Sequence, residues 1–352
     1  MADSNQLDPA TAKARGKPAE WAVAALALLA NGQNETAIKL ALKVSKQAAD
    51  DPEAAMLAAE VLSAEVPDWH FRLVQDHLRN EAYDAALRRA IRPGMRVLDI
   101  GSGTGLLAMM AARAGAAEVF SCEMNPAVAD VAQEIIAVNG LSDRVQVLSK
   151  HSGKLDADVD LGGRVDIIVS EIVSNNMLSE GVLPSMEHAT GNLLKPGGVV
   201  IPARGTVKVA LAFHPHPSDK RMEITDGFDL TPFNRLAAPI YHVSSRDTNL
   251  QLASEAADLF EFDFRAANPV AKARTEQILT AYSGPANCVA QWIRLEMDEA
   301  GSYENRPGEP AYSHWTVIVY PLPKQAVLHP GESIRVCGSH DKCNVRIWAA
   351  AV

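Results

Sequence analysis

Residues 95–105 read MRVLDIGSGTG, and this stretch decides the fold. An apolar run ends in three glycines spaced two apart, Gly101, Gly103 and Gly105, and LLAMMAARAG follows at 106–115 as a helix. Glycine lets the backbone turn tightly and approach a ligand, and a helix N-terminus behind such a loop presents free N–H groups. The alternation continues downstream. EVFSCE (118–123), RVQVLS (144–149), VDIIVSE (165–171) and GGVVIP (197–202) read as strands, and AVADVAQEIIAVNG (127–140) as a helix closed by Gly140. MLSEGVLPSMEHATGNLL (177–194) reads as largely helical. Strands separated by helices predict a doubly wound parallel sheet.

Working outward, Trp69 to Ile91 reads as one helix stopped by Pro93-Gly94, with Val66-Pro67 as a boundary before it. Residues 1–17 are polar and read as a disordered lead-in. Residues 18–65 are Ala/Leu-rich, broken at Asn31-Gly32, and predict three helices. The order Trp21, Gly32, Ala37-Ile38, Ala41, Asp51-Pro52 resembles a single tetratricopeptide-type (TPR-like) repeat. Residues 66–203 hold the sheet. From 204 to 352 the texture is strand-like, with TVKVALAF, ANCVAQWIRLEMD, WTVIVYPL, SIRVCG and NVRIWAA between polar breaks, which predicts an all-β domain, a sandwich or barrel.

The 352 residues are 47% apolar, enough for sizeable cores. Lys and Arg number 33 against 43 Asp and Glu, a net charge of −10. No positive field would draw in a polyanion, which argues against nucleic acid and suits a cationic ligand. Four cysteines form no disulfide framework, so a reducing, cytoplasmic setting is expected. Cys337 and Cys343 near His340 lack a second ligand pair, so no metal site is expected. The N-terminus has no apolar signal core. The longest apolar stretch, Trp21–Ala30, is too short to cross a bilayer.

A dinucleotide loop would place its third glycine where Leu106 stands. The observed G-x-G-x-G, with Asp99 before it, instead looks like the S-adenosylmethionine loop of class I methyltransferases. Glu123 ends the second strand, where a carboxylate can accept hydrogen bonds from ribose hydroxyls. Ser152 and Gly153 fall where an adenine edge would lie. Glu171 and Glu180 stand nine positions apart around a strand-to-helix turn. Two buried carboxylates repel unless a cation lies between them, and a planar guanidinium with five donors matches two acceptor forks.

SEIVSNNMLSEG beside the glycine loop resembles the double-E loop of protein arginine N-methyltransferases. WHFRLVQDHLRNEAY resembles that family's cofactor-closing helix, DGFDL part of the barrel with its dimerisation arm, and SHW at Ser313–Trp315 its Thr-His-Trp loop. The likeness runs over roughly residues 66–352 and most resembles the branch with symmetric- and monomethylating members. It implies a Rossmann-like sheet of the class I methyltransferase type followed by a β-barrel, with S-adenosylmethionine as cofactor. It implies methyl transfer to an arginine guanidino nitrogen of a protein substrate, Arg/Gly-rich segments included, and a homodimer through an arm near 222–240. By the same resemblance Arg79 pairs with the methionine carboxylate of the cofactor, and His70, Asp99, Gly101, Gly103, Gly105, Glu123 and Ser152 line its site. Glu171 and Glu180 hold the substrate guanidinium, and His314 pairs with Asp76. Trp315 is half packing and half groove wall. The family's paired-tyrosine motif is absent, leaving Trp69 or Phe71 as the aromatic lid, and Leu73 and Gly181 lie near positions that govern how many methyls fit. Two alternatives are a small guanidino compound as substrate and a non-enzymatic scaffold.

Overall fold

The computed structural model describes residues 18–48, 50–64, 66, 69–215, 222–266, 273–323 and 326–352. The lead-in at 1–17 lies outside the described residues. Five strands, β1 (Arg96–Ile100), β2 (Glu118–Glu123), β3 (Val145–Ser149), β4 (Val165–Ser170) and β5 (Leu194–Ile201), form one parallel sheet in the order β3-β2-β1-β4-β5. β1 and β4 are buried on both faces by Val97, Leu98, Ile167, Ile168 and Val169, as parallel strands covered by helices must be. The order reverses between β1 and β4. Their carboxyl ends, which carry Gly101 and Glu171, therefore flank a crevice of the kind open α/β sheets use for ligands.

Two sequence expectations change here. Trp69–Ile91 is not one helix but two, α4 (Trp69–Leu73) and α5 (His77–Ala90). The break comes from Asp76, whose Oδ1 accepts the Arg79 N–H at 3.1 Å and caps α5. In the stretch 177–194, the helix is confined to Val182–His188 with a wider turn at Ala189–Leu193. Residues 171–181 form a loop instead.

Helices α6 (Leu106–Arg113) and α7 (Pro126–Val138) pack on the sheet. Three N-terminal helices, Pro18–Ala30, Asn34–Gln47 and Pro52–Ala64, form a separate bundle. Its core is mostly alanine, including Ala22, Ala25, Ala37, Ala41, Ala54 and Ala58. The bundle docks on α7, where Lys46 Nζ lies 2.5 Å from Asp130 Oδ2 and 2.7 Å from Glu134 Oε1.

The C-terminal half is antiparallel. β6 (Arg204–Phe213), β9 (Tyr241–Val243), β10 (Gln251–Leu252), β11 (Ala257–Asp263), β13 (Cys288–Glu296), β14 (Ser302–Glu304) and β15 (Val317–Pro321) make a curled sheet, and β12 (Arg274–Thr280), β16 (Ser333–His340) and β17 (Val345–Ala350) a smaller one. Between β6 and β9 a hairpin, β7 (Ile224–Thr225) and β8 (Phe228–Asp229), leads into a tight turn at Thr231–Leu236. One continuous apolar core joins the parallel sheet to this barrel, running from Leu98 and Val169 to Val209 and Ile293. His340 stands edge-on to Phe260 and Phe262. Among the described residues no three His, Cys, Asp or Glu side chains could share a metal, and no helix is long and apolar enough to cross a membrane.

Candidate active site

A cleft of ≈ 470 Å³ opens at the carboxyl ends of β1, β2 and β4. Gly101 and Gly103, Glu123, Ser152, Glu171, Glu180, Arg79, Trp69 and His70 line it, whereas Gly105 lies against α7, where a Cβ would stand 3.2 Å from Ile136 Cδ1. Gly101 has φ +86°, and a Cβ there would stand 2.5 Å from Ile172 Cγ2. Only glycine both takes that turn and lets the loop lie against the segment that follows Glu171. At the end of β2, Glu123 Oε2 accepts from Gly103 N at 3.2 Å and Oε1 from Asn125 N at 2.9 Å, which fixes the carboxylate at the cleft wall.

Asp99 is placed differently from the sequence expectation. It is buried beneath the loop and does not line the cleft. Its Oδ2 accepts from Ser121 Oγ at 2.7 Å, and Ser121 Oγ lies 2.6 Å from Ser102 Oγ, so Asp99 supports the loop from below. Burial pushes its carboxyl up to about 7.

At the end of β4, Arg79 Nη1 donates to Glu171 Oε2 at 2.8 Å, with the side chains 1% and 5% exposed. The other edge of the Arg79 guanidinium donates to Asn80 Oδ1, from Nη2 at 2.6 Å and Nε at 3.2 Å. Burial pushes the Glu171 carboxyl up to about 8, against the opposing pull of Arg79, and the nearby Glu180 and Asp76 charges add to the rise. Glu180 stands at the lip of the cleft with no hydrogen-bond or ion-pair partner among the described residues. Partial desolvation there raises its carboxyl as well.

Behind Arg79 lies a polar knot that sequence reasoning found only in part. His314 Nδ1 and Asp76 Oδ2 are 3.1 Å apart, and the His314 backbone N–H also donates to Oδ2 at 3.1 Å. Tyr303 Oη donates to the same oxygen at 2.5 Å and lies 2.7 Å from Ser313 Oγ. Burial alone would raise Asp76; the hydrogen bonds from His314, Tyr303 and the Arg79 and His314 backbones hold it below the usual carboxylate range. Burial lowers His314 despite Asp76, which keeps the imidazole neutral. Neither Asp76 nor His314 lines the cleft that holds the glutamates.

Trp315 is buried, its Nε1 donating to Val173 O at 2.7 Å, so packing accounts for it rather than a groove wall. Trp69 stacks on His70 with centroids 3.7 Å apart and lines the cleft, whereas Phe71 is two-thirds exposed and does not. Two residues that sequence reasoning missed belong to this arrangement. Tyr303 has no local motif. Tyr83 lies one helical turn from Arg79, a spacing that could have revealed it, and its hydroxyl donates to Ser170 O at 3.0 Å.

Comparison with known proteins follows the same geometry. Residues 83–205 match the family model for ribosomal protein L11 methyltransferase (PrmA). A protein of Streptomyces achromogenes subsp. streptozoticus named arginine N(omega)-methyltransferase is 38% identical over 336 residues, covering 93% of this chain and 91% of that protein. Protein arginine N-methyltransferase 7 of Xenopus laevis is 31% identical over 301 residues, 74% of this chain but only 42% of the longer relative. Among solved structures, the Trypanosoma brucei PRMT1 enzyme-prozyme heterotetrameric complex with AdoHcy superposes with a TM-score of 0.68 at 25% identity, over 77% of this chain and 86% of that one. Arabidopsis thaliana protein arginine methyltransferase 10 shares the fold, with a TM-score of 0.63 at 20% identity over 76% of this chain and 86% of that one. Matched over almost its whole length, the chain belongs to the arginine N-methyltransferase family, whose members transfer a methyl group from S-adenosylmethionine to an arginine guanidino nitrogen.

Proposed function

We propose that the protein methylates arginine side chains of protein substrates, Arg/Gly-rich segments among them, with Glu171 and Glu180 clamping the guanidinium. The observation that carries this reading is the Arg79 guanidinium already seated on Glu171 at 2.8 Å. The site thus accepts a planar cation on one carboxylate while the second stands unpaired at the cleft mouth. The net charge of −10 favours approach of basic segments, as a long-range effect that salt weakens.

The residues present fit S-adenosylmethionine. Glu123 offers a fixed carboxylate to ribose hydroxyls, and Ser152 with His151 lines the far wall. His70 and Trp69 close the near side, and Arg79, once turned away from Glu171, would offer its fork to the methionine carboxylate. When bound, the cofactor supplies an electrophilic methyl on sulfonium. Free arginine has a pKa above ~12 and a delocalised lone pair. Ion pairing to Glu171 and Glu180 gathers positive charge on one side of the guanidinium and aims the remaining nitrogen at the glycine loop. Glu180, raised and unpaired, is placed to take the proton; Asp76 and neutral His314 hold the barrel to α5.

A second reading, a small guanidino compound as substrate, draws on the name of the Streptomyces relative, which specifies arginine without a protein. Labelled S-adenosylmethionine incubated with an Arg/Gly-rich peptide and, separately, with free L-arginine decides between them. Label on the peptide supports the first reading, label on arginine alone the second, and label on neither overturns both.

Ile224, Phe228, Phe233 and Leu236 stand exposed on the hairpin and the turn after it. They support a homodimer through this arm, tested by light scattering on the wild type and Phe228→Asp. A cytoplasmic location accords with the free thiols of Cys122, Cys288, Cys337 and Cys343.

A further inference from the structure

We propose that Asn175 and Gln291 are positioning residues through which the barrel fixes the glutamate loop. The proposal rests on reading Glu171 and Glu180 as the guanidinium clamp.

The loop between the two glutamates is held in two ways. Within it, Asn176 Oδ1 accepts from Ser174 Oγ and Ser179 Oγ at 2.8 Å each and from the Leu178 and Ser179 N–H groups at 3.1 Å. One side-chain oxygen thereby folds residues 174–179 into a rigid turn. Outside it, the barrel grips the loop at Asn175. Gln291 Nε2, fully buried on β13, donates to Asn175 O at 2.9 Å, and the Thr316 N–H donates to Asn175 Oδ1 at 2.8 Å. Met177 is fully buried with φ +79°, a conformation a bulky side chain rarely adopts. Its sulfur fills a notch at Gly205 on β6, where a Cβ would stand 2.6 Å away. Strain of this kind persists only where the surroundings over-determine it.

Such a grip has a clear purpose. An unpaired carboxylate on a loose loop would move toward the Arg79 guanidinium and close the space a substrate cation must enter. The clasp prevents that collapse. Gln291 also carries a buried Oε1 with no hydrogen-bond partner, so this residue is not kept for stability alone.

Three variants test this, with wild type and Glu171→Gln as references and with both an Arg/Gly-rich peptide and free L-arginine as substrates. Gln291→Met removes the donor together with the orphaned carbonyl. It is expected to lower kcat by on the order of tenfold to a hundredfold, the effect of a small misplacement of a reacting group, while Tm holds or rises and S-adenosylmethionine affinity stays within about twofold. Asn175→Leu is expected to behave likewise in kcat, and Asn175→Asp, which keeps the acceptor for Thr316, to retain activity. Unchanged kcat in Gln291→Met overturns the proposal. So does loss of kcat in step with Tm and cofactor affinity, or an Asn175→Asp variant as impaired as Asn175→Leu. If Asn175→Leu does not fold, Gln291→Met and Asn175→Asp decide alone. Wild type inactive on both substrates counts against the clamp reading itself; active wild type with fully active variants counts against the positioning role only.

Discussion

Two raised carboxyls beside one buried guanidinium set how the active site responds to protons. Both Glu171 and Glu180 must be ionised to hold a cation, and both sit above the ordinary carboxylate range, Glu171 at about 8. Because kcat/KM reports the free enzyme's groups, it is expected to rise with pH through 7 to 8, as initial rates at low substrate concentration across that range will measure. Stability runs the other way. A carboxyl that keeps its proton in the native state up to about 8 but loses it near 4.5 when unfolded makes the native state bind more protons between those values. The contribution of Glu171 to stability is therefore full below about pH 4.5 and declines as pH rises toward 8, opposite in sign to that of carboxylates held low by their partners, such as Asp76. In Glu171→Gln that decline should be shallower in thermal melts at pH 5.5 and 8, and turnover should fall at least about a hundredfold with cofactor binding retained. At this scale the meeting of Glu171, Glu180 and Arg79 in one cleft was legible from the loop and the closing-helix spacing. Tyr303 was not, because it meets Asp76 only through the long return of the barrel, and Asp99 was misjudged, because position beside a glycine loop does not reveal which way a strand residue faces.

Among elements, the break between α4 and α5 shows where local signals stop. Trp69–Ile91 has the periodicity of one helix, and only tertiary partners of Asp76 reveal why it ends and restarts. Asp76→Ala should destabilise by roughly 2–4 kcal/mol, combining loss of an N-cap with the stranding of Tyr303 and the His314 N–H. Asp76→Asn, which keeps an acceptor, should lose less than half of that by urea denaturation. Strands β1 to β5 were legible because each is a dense apolar run between glycine or helical breaks. The short strands β7 to β10 were not: two or three residues carry no period, and partners far along the chain define them.

For the whole molecule, the distribution of apolar surface separates what is cooperative from what is not. Sheet and barrel share one core containing Leu98, Ile168, Phe262 and Ile293, whereas the N-terminal bundle buries chiefly alanine methyls. Small side chains remove little area from water, and exposed ion pairs such as Lys46 with Asp130 and Glu134 add at most about 1 kcal/mol each. Native-state hydrogen exchange should therefore show amides of residues 18–64 opening at distinctly lower free energy than those of β1 and β4. Equal protection throughout would mean that the bundle folds as part of the main body. The helical character of this region and the change of texture past Pro202 were both readable in the sequence; its seat on α7 was not, since polar surface pairs leave no pattern.

The ion pair between Arg79 and Glu171 carries one more implication, for the sequence of events in a turnover. On the clamp reading, Arg79 places a guanidinium of the enzyme's own where the substrate's would sit. A carboxylate on the first arrival would draw Arg79 aside and vacate Glu171 for the second, giving a compulsory order. An unreactive arginine analogue should accordingly inhibit uncompetitively against S-adenosylmethionine, and a mixed pattern would mean that either ligand can enter first.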